Sequence, residues 1–347
     1  AAMAYDTACD GVLAVGSGSI GDISKIIARV GRIPMVTVAT APSMDGFASP
    51  TCSNVVNGLK STVPGVCPIA ILGDLDILRN APARMLQAGL GDMAAKSIAV
   101  LEWKIAHLIT GEYYCDRVAS LMLKSAQKCL SSASGLMRRD PRAVANIMEG
   151  LVMSGTAIGF AGVTRPASGI EHYFSHVWDM LALQKKEMPD LHGIQVGVGT
   201  VYAAKIYDRI KQIKPDRKKA LDAMRHFNLV QWKASIVAFF PSAAGSIIRQ
   251  AAAESRFDRE SHAERVGRII DRWDDILRII RADAPDPEVV AQQLHVAGAP
   301  VTAAEIGIDS RTLKQTFLRT KDLRNKYMAG SLLWDLGMLN EIADDLF

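Results

Sequence analysis

The feature that most restricts the fold is the segment VLAVGSGSIGDISKII, residues 12–27, in which an apolar run leads through glycines into helical periodicity. Gly16, Gly18 and Gly21 have GxGxxG spacing between a predicted strand at 11–15 and a predicted helix at 20–30. Bare backbone amides at such a helix N-terminus can hold a pyrophosphate. A simple tight turn is the alternative. The dinucleotide-binding motif usually has an acidic residue about 20 positions later, and here only Asp45, beyond a second loop, is available.

The pattern that follows places a parallel sheet before a helical region. Two further β-branched runs, 35–39 and 69–72, follow the first helix, and this strand-helix-strand order favours a parallel sheet. From Leu86 onward apolar residues recur at helical spacing. The predicted helices span 87–109, 112–135, 141–160, 169–186, 193–213, 217–226, 229–238, 242–254, 260–281, 286–295, 302–305, 310–320 and 328–345.

The fold class predicted is therefore α/β followed by all-α. Residues 1–78 form an α/β dinucleotide-binding domain, which looks incomplete because few residues precede its first strand. Residues 79–347 form a helical metal- and substrate-binding domain. The active site is expected in the cleft between the two domains.

Composition excludes several classes of protein. A hydrophobic fraction of 49% with a mean hydropathy of +0.12 argues against a disordered chain and a polytopic membrane protein. The most apolar stretch, residues 147–163, contains Glu149 and is predicted to be a buried core helix. A net charge of +4 predicts no nucleic-acid partner, and the basic run 209–219 is interpreted as a solvated helix end.

The cysteines and the N-terminus bear on the compartment. Five cysteines without a CxxC pair predict reduced thiols rather than disulfides or a cysteine zinc site. The N-terminal residues contain neither a basic region nor an apolar one that would indicate a secretory signal. A cytoplasmic protein with no membrane partner is expected.

A second loop, TAPSMDGFASP at residues 40–50, follows the second predicted strand. Ligands bind beside the carboxyl ends of parallel strands, so the two loops are expected to share one crevice. Thr40, Ser43 and Ser49 can hydrogen-bond a nucleotide, and Asp45 can accept a proton from a polyol hydroxyl. Turn formation and capping alone would also explain these four residues.

The helical region contains a cluster of metal-ligand residue types. Asp92 lies at the head of the helix predicted at 87–109, where an N-cap is the simpler interpretation. His172 and His176 are four residues apart on one helical face, and His192 begins a later helix. A carboxylate with two or three imidazoles from separate helices is typical of a catalytic divalent-metal site, although each histidine alone is more often structural.

Five motifs together carry a family resemblance. GSGSIGD, TAPSMDGFASP, GLGDMAAK, SGIEHYFSH and LHGIQVGVGT, in this order, resemble the metal-dependent polyol dehydrogenases related to glycerol dehydrogenase and dehydroquinate synthase. The pattern SGxEHxxSH followed by Trp-Asp is most similar to the glycerol-1-phosphate dehydrogenase branch. The resemblance covers about residues 11–202 and implies a dehydroquinate synthase-like fold.

The resemblance also implies roles for individual residues. Asp92, His172 and His192 correspond to the metal ligands, and Asp45, Asp92 and His176 to the catalytic residues that contact substrate. The cofactor-binding residues that it implies are Gly18, Ser19, Ile20, Gly21, Asp22, Thr40, Ala41, Pro42, Ser43 and Ser49.

The implied activity is reversible, NAD- or NADP-dependent reduction of glycerone phosphate to sn-glycerol 1-phosphate. One divalent metal is expected, zinc first, with nickel or iron as alternatives. The default assembly is a homodimer. Lys60, Lys96 and Arg165 are unranked candidates for binding the phosphate.

Two departures from the family pattern leave alternatives open. The chain nearly lacks the strand-helix region that precedes the glycine loop in the family and carries the adenine and ribose contacts, so the coenzyme is undecided. Ser17 also stands where many relatives have glycine. Glycerol or another polyol is an alternative substrate, a dehydroquinate-synthase-like lyase would place Glu at Asp92, and a non-catalytic interaction module is the alternative outside enzymes.

Overall fold

The computed structural model describes residues 8–56 and 58–347. Its N-terminal part contains a parallel sheet in the order β1-β2-β5 and an antiparallel hairpin, β3-β4. The elements of this part are β1 (Val12–Gly16), α1 (Gly18–Gly31), β2 (Met35–Ala39), β3 (Thr51–Val56), β4 (Leu59–Pro64), β5 (Ala70–Leu72) and α2 (Leu75–Arg79).

The rest of the described chain is helical. Two short 3₁₀ turns, Ala304–Ile306 and Thr320–Asp322, interrupt it. The helices are α3 (Ala83–Ala94), α4 (Lys96–Thr110), α5 (Asp116–Leu130), α6 (Ala133–Leu136), α7 (Pro141–Ala161), α8 (Ile170–Lys185), α9 (His192–Ile210), α10 (Arg217–Arg225), α11 (Leu229–Phe239), α12 (Ala244–Ala253), α13 (Arg259–Asp271), α14 (Trp273–Asp283), α15 (Pro287–Val296), α16 (Ser310–Arg319), α17 (Ala329–Asp335) and α18 (Leu339–Leu346).

The α/β then helical fold class and the parallel sheet are confirmed, with the three predicted strands correct to within one residue. The hairpin is not among the predictions. Its strands, TCSNVV and LKSTVP, are rich in polar residues and lack the apolar alternation that identifies a strand in sequence. The division of the chain at residues 78 and 79 stays a prediction.

Four of the helices predicted as continuous are each broken into two in the structure. The structure divides them at Ala95, at residues 131–132, at Arg272 and at Gly337. At Gly337 the φ angle is 68°, a left-handed conformation that glycine adopts without steric cost. Apolar spacing continues across such breaks because both halves pack on the same core, so periodicity alone does not reveal them.

Helix α7 is, in the described part of the chain, the one helix long and apolar enough by length and composition to cross a membrane. Core helices of globular proteins meet the same criterion. This helix packs against α3 and α5, and its side chains Ile147 and Leu151 are fully buried. The helix therefore fits the interpretation of 147–163 as a core element.

A hydrophobic cluster joins the N-terminal sheet to the helices. Ala39 and Phe47, at the end of β2 and in the loop after it, pack with Met93 of α3 and Ile147 of α7. This contact fixes the second loop against the end of α3. Residues from both regions are thereby held next to each other where the site lies.

All five cysteines carry free thiols. Cys52 and Cys129 are buried, and this burial raises their thiol pKa values to about 11 and about 12. These two thiols are therefore poor nucleophiles at neutral pH.

Candidate active site

A cleft of about 420 Å³ opens where the two loops, the hairpin and the helices α8 and α9 meet. It joins residues that are far apart in the sequence. The predicted site residues that line it are Gly18, Ser19, Asp22, Asp45, Ser49, His172, His176 and His192.

The glycine loop makes the sharp turn from β1 into α1. A Cβ on Gly16 would lie 2.8 Å from the Cβ of Ile20, and a Cβ on Gly18 would lie 3.3 Å from Cγ of Met44. Glycine at both positions thus lets the chain turn and lets the second loop approach. Residues Gly18 and Ser19 place the N-terminus of α1 at the cleft, where its free amides favour an anion.

Hydrogen bonds tie the two loops together. The amide of Thr40 donates to the carbonyl of Gly16 at 3.1 Å. The hydroxyls of Ser17 and Ser43 lie 2.5 Å apart. Ser43 therefore holds the loops in place rather than lining the cleft.

The remaining predicted cofactor residues, Ile20, Gly21, Thr40, Ala41 and Pro42, also lie outside the cleft lining. The carbonyl of Pro42 faces α3 so closely that a Cβ on its neighbour Gly89 would lie 2.0 Å away. These residues are positioned to support the loops, and their contact with a cofactor stays a prediction.

The predicted metal ligands converge. Asp92, His172 and His192 each offer a ligand atom, and these atoms all lie within 4.8 Å of one another. His172 lies in the first turn of α8 and His192 is the first residue of α9. The placement of Asp92 at a helix head is wrong, because α3 begins at Ala83 and Asp92 lies two residues before its last residue, Ala94.

Hydrogen bonds orient both imidazoles. Nδ1 of His172 lies 2.8 Å from Oε1 of Glu171, and Nδ1 of His192 lies 3.0 Å from the Ser175 hydroxyl. Each ring therefore keeps its Nε2 for another partner, and Nε2 of His172 is 3.5 Å from Oδ1 of Asp92. The two oriented imidazoles line the cleft and Asp92 is fully buried within reach of them, which fits a divalent cation that retains an open position on the cleft side.

Lys96, one of the three unranked phosphate candidates, does not line the cleft. Its ammonium is fully buried and lies 2.7 Å from Oδ2 of Asp45 and 2.7 Å from Oδ1 of Asp92. Burial alone would raise the pKa of Asp92, but Lys96 and His172 outweigh it and lower that pKa. Burial likewise opposes the charge on Lys96, while Asp45 and Asp92 together raise its pKa. Lys96 and Asp92 are therefore both charged at neutral pH.

Asp45 completes this network. Its amide donates to Oδ2 of Asp92 at 2.9 Å, and its Oδ2 accepts from Ser154 at 2.7 Å as well as from Lys96. Within residues 8–56 and 58–347, no donor reaches the other oxygen, Oδ1. A cleft-lining carboxylate with one oxygen fixed and one available can orient a substrate hydroxyl.

His176 is uncharged. Burial, together with Arg324 and His192, holds the pKa of its imidazole well below the usual range. Its Nδ1 is buried and has no hydrogen-bond partner in the part of the chain that the structure describes. Burial and His172 also lower the pKa of His192 to about 4, so this ring is neutral and able to bind a cation.

Two cationic side chains also line the cleft. Lys60 of β4 pairs with Asp179 at 2.9 Å, and Arg324 donates to the Lys60 carbonyl at 2.6 Å and to the Thr62 hydroxyl at 3.1 Å. Of the three predicted phosphate-binding candidates, only Lys60 lines this cleft. Arg324 is missing from the predictions, because nothing local in LRNKYMAG indicates that it reaches a hairpin about 260 residues away.

The third candidate, Arg165, lies elsewhere. Its guanidinium pairs with Glu112 at 2.7 Å and donates to the carbonyl of Tyr327 at 2.9 Å. It lines a separate cavity in the C-terminal region.

Comparison with known proteins identifies a matching family model and several sequence relatives. Residues 1–82 match the family model of iron-containing alcohol dehydrogenases. Glycerol-1-phosphate dehydrogenase [NAD(P)+] of Geobacillus thermodenitrificans is 35% identical over 201 residues, 58% of this chain and 50% of the relative. That of Sulfurisphaera tokodaii is 41% identical over 220 residues, 62% of this chain and 61% of the relative.

A longer match is weaker in identity. Glycerol-1-phosphate dehydrogenase [NAD(P)+] of Bacillus licheniformis is 28% identical over 330 residues, 95% of this chain and 69% of the relative. In the stronger matches this chain spans about half the length of the curated relatives.

Solved structures share the fold. Glycerol dehydrogenase from Schizosaccharomyces pombe aligns with 99% of this chain and 73% of its own, at a TM-score of 0.55 and 14% identity. A probable glycerol dehydrogenase from Sinorhizobium meliloti aligns with 97% and 78%, at a TM-score of 0.56 and 14% identity. These likenesses place the chain in the fold of the iron-containing alcohol dehydrogenases.

Proposed function

We propose that this chain, a relative of the glycerol-1-phosphate dehydrogenases, reduces glycerone phosphate reversibly to sn-glycerol 1-phosphate with a nicotinamide cofactor and a divalent metal. The observation that carries the proposal is the meeting of Asp92, His172 and His192 at a cleft that also contains the glycine loop and two cations. A dehydrogenase that acts on a phosphorylated polyol needs the metal ligands, the cofactor loop and the cations within reach of one small substrate.

Asp92, His172 and His192 would hold the metal. When bound, a divalent cation acts as a Lewis acid that polarises the carbonyl and stabilises the developing alkoxide. A set of one carboxylate and two imidazoles suits zinc first, with nickel or iron as alternatives. Glu171 and Ser175 keep the rings oriented toward that position.

Asp45 and His176 would position the substrate. The free Oδ1 of Asp45 accepts a hydrogen bond from the hydroxyl next to the reacting carbon, while Lys96 holds the other oxygen, Oδ2, in place. His176 lies one helical turn beyond His172, and its neutral ring offers an acceptor or a donor to the substrate oxygen.

Lys60 and Arg324 would bind the phosphate. They are the cationic side chains that line the cleft in the described part of the chain, and a phosphate forms charge-assisted hydrogen bonds with both an ammonium and a guanidinium. This arrangement favours a phosphorylated substrate over free glycerol.

The nicotinamide cofactor would enter along the glycine loop. Its pyrophosphate would meet the N-terminus of α1 at Gly18 and Ser19, and Ser49 and Asp22 line the continuing wall. Comparison of the rates with NADH and with NADPH decides which coenzyme the protein uses. The active form in this proposal is a homodimer in the cytoplasm.

The test follows oxidation of NADH and NADPH with glycerone phosphate and with unphosphorylated dihydroxyacetone, for the wild type and for Lys60→Met. We expect Lys60→Met to lower kcat/KM for glycerone phosphate by roughly tenfold to a hundredfold, because it removes a charge-assisted contact. The value for dihydroxyacetone should hardly change.

Equal losses with both substrates would remove the phosphate assignment and favour the polyol dehydrogenase alternative. No turnover of either substrate by folded, metal-loaded protein would contradict the enzyme proposal and favour the interaction module.

A further inference from the structure

A second cavity, separate from the cleft, lies in the C-terminal region. It has a volume of about 480 Å³, within the range of small-molecule sites. Seven cationic side chains line it against four carboxylates. Arg324 lines both this cavity and the cleft, so the two are neighbours.

Most of these cations are neutralised by a carboxylate partner. Ion pairs of 2.5 to 3.5 Å account for five of them: Arg165, Arg256, Arg265, Arg268 and Lys321. Among the described residues, Lys326 and Arg324 have no carboxylate at ion-pair distance. Their positive charge is therefore left for another anion.

Lys326 is the less satisfied of the two. Its ammonium has three donors, and in the described chain it gives one hydrogen bond, to the carbonyl of Ser168 at 3.0 Å. Burial, with help from Arg165 and Arg324, lowers its pKa to about 7, while Glu171 and Glu102 act weakly in the opposite direction. Lys326 therefore has unused donors near Arg324, whose charge also lacks a carboxylate partner among the described residues, so an anion between them would gain from both.

We infer that this cavity is a second anion site, which binds a small phosphate-bearing molecule through Lys326, with Arg324 on the wall shared with the cleft. A tetrahedral dianion has enough acceptor oxygens for the free ammonium donors and for a guanidinium at once. Trp334 and Phe257 supply an apolar part of the wall for the remainder of the molecule. The site shares Arg324 with the proposed phosphate position of the cleft, but Lys326 lines this cavity alone, so the inference does not require the proposed function.

Calorimetric titration of the full chain with sulfate tests the inference. Sulfate keeps a constant charge of two over the pH range used, so changes in affinity report on the protein. We expect Lys326→Met to weaken sulfate binding at this site by roughly tenfold or more. Lys326→Arg should restore binding, which separates loss of the charge from misfolding. Lys214→Met, an exposed lysine outside both cavities, should leave binding unchanged.

The pH dependence gives a second readout. Since Lys326 loses its proton near pH 7, sulfate affinity of the wild type should fall as the pH rises from 6 to 8. The affinity of Lys326→Arg should remain level over the same range, because arginine stays charged.

Two outcomes would overturn the inference. Equal sulfate affinity in the wild type and Lys326→Met would show that the ammonium does not bind the anion. Loss of all sulfate binding in Lys60→Met would place the anion in the cleft alone, which would leave the proposed function standing.

Discussion

At the scale of single residues, the buried ammonium of Lys96 determines the charge state of the site. It forms ion pairs with two carboxylates, one of which is a predicted metal ligand. Removing one partner of a buried ion pair leaves an uncompensated charge, which costs about 3–5 kcal/mol. The stability of the metal-free protein should therefore depend strongly on this side chain.

Lys96→Met should lower the free energy of unfolding of the metal-free protein by about 3–5 kcal/mol. Urea unfolding followed by circular dichroism measures this change. Lys128→Met is the matched control, because its pair with Glu149 is exposed and should contribute less than about 1 kcal/mol. Equal effects of the two substitutions would show that the buried network does not stabilise the fold.

Glu102 makes stability depend on pH. Burial and the neighbouring Glu171 raise its pKa from the usual 4.5 to about 8. Between pH 4.5 and about pH 8, folding is therefore accompanied by the uptake of one proton by Glu102. The stabilisation that results is fully present below pH 4.5 and is lost as the pH rises through about 8. The slope for one such proton is about 1.4 kcal/mol per pH unit.

Glu102→Gln should flatten this slope between pH 5.5 and 7.5, measured by urea unfolding at several pH values. The exposed control Glu149→Gln should keep the slope of the wild type. Parallel curves for Glu102→Gln and the wild type would contradict the assignment of the proton to Glu102.

The sequence predicts the site residues better than their partners. Asp45, the three candidate metal ligands and His176 are found through motifs, and they lie together in the structure. The spacing of Asp92 and Lys96, four residues apart, could have indicated an ion pair within one helical face. The contact of Lys96 with Asp45 joins distant parts of the chain and has no local signal.

At the scale of elements, glycines bring α3 and α9 into close contact. A Cβ on Gly91 would lie 2.2 Å from the carbonyl of Gly193, and one on Gly193 would lie 2.0 Å from the carbonyl of Ala88. Asp92 directly follows Gly91, and His192 directly precedes Gly193. The distance between two candidate metal ligands is therefore set by this helix contact.

Gly91→Ala should force the two helices apart and weaken zinc binding by roughly tenfold or more, since small displacements of ligands are costly. Gly267→Ala is the control, because a Cβ there meets nothing within 4 Å, and it should be neutral or stabilising by up to about 1 kcal/mol. Competition with a chelating dye measures the zinc affinity of both variants. Unchanged affinity in Gly91→Ala would mean that the helix contact does not position the ligands.

Apolar periodicity predicts where helices occur, but not where they break or where polar strands pair. The strands β3 and β4 have no apolar pattern, yet they contribute Thr51, Ser53, Lys60 and Thr62 to the cleft. Their pairing depends on backbone hydrogen bonds and on contacts with α1 and α8, which a local pattern does not contain.

At the scale of the whole molecule, the cleft depends on contacts between the N-terminal sheet region and the helices. The second loop packs on α3, and Arg324 reaches the hairpin from the C-terminal region. The sequence correctly predicts the order of these regions and a shared crevice. It does not predict which cations enter that crevice, because that choice is made by tertiary packing.

The central claim is that Asp92, His172 and His192 form a metal site at this cleft. Equilibrium dialysis of the full chain against zinc, followed by elemental analysis, tests it most directly. We expect one tightly bound zinc per chain for the wild type, retention of that zinc by the exposed control His295→Ala, and its loss from His192→Ala. Zinc binding that is equal in all three proteins, or absent from the folded wild type, would contradict the account.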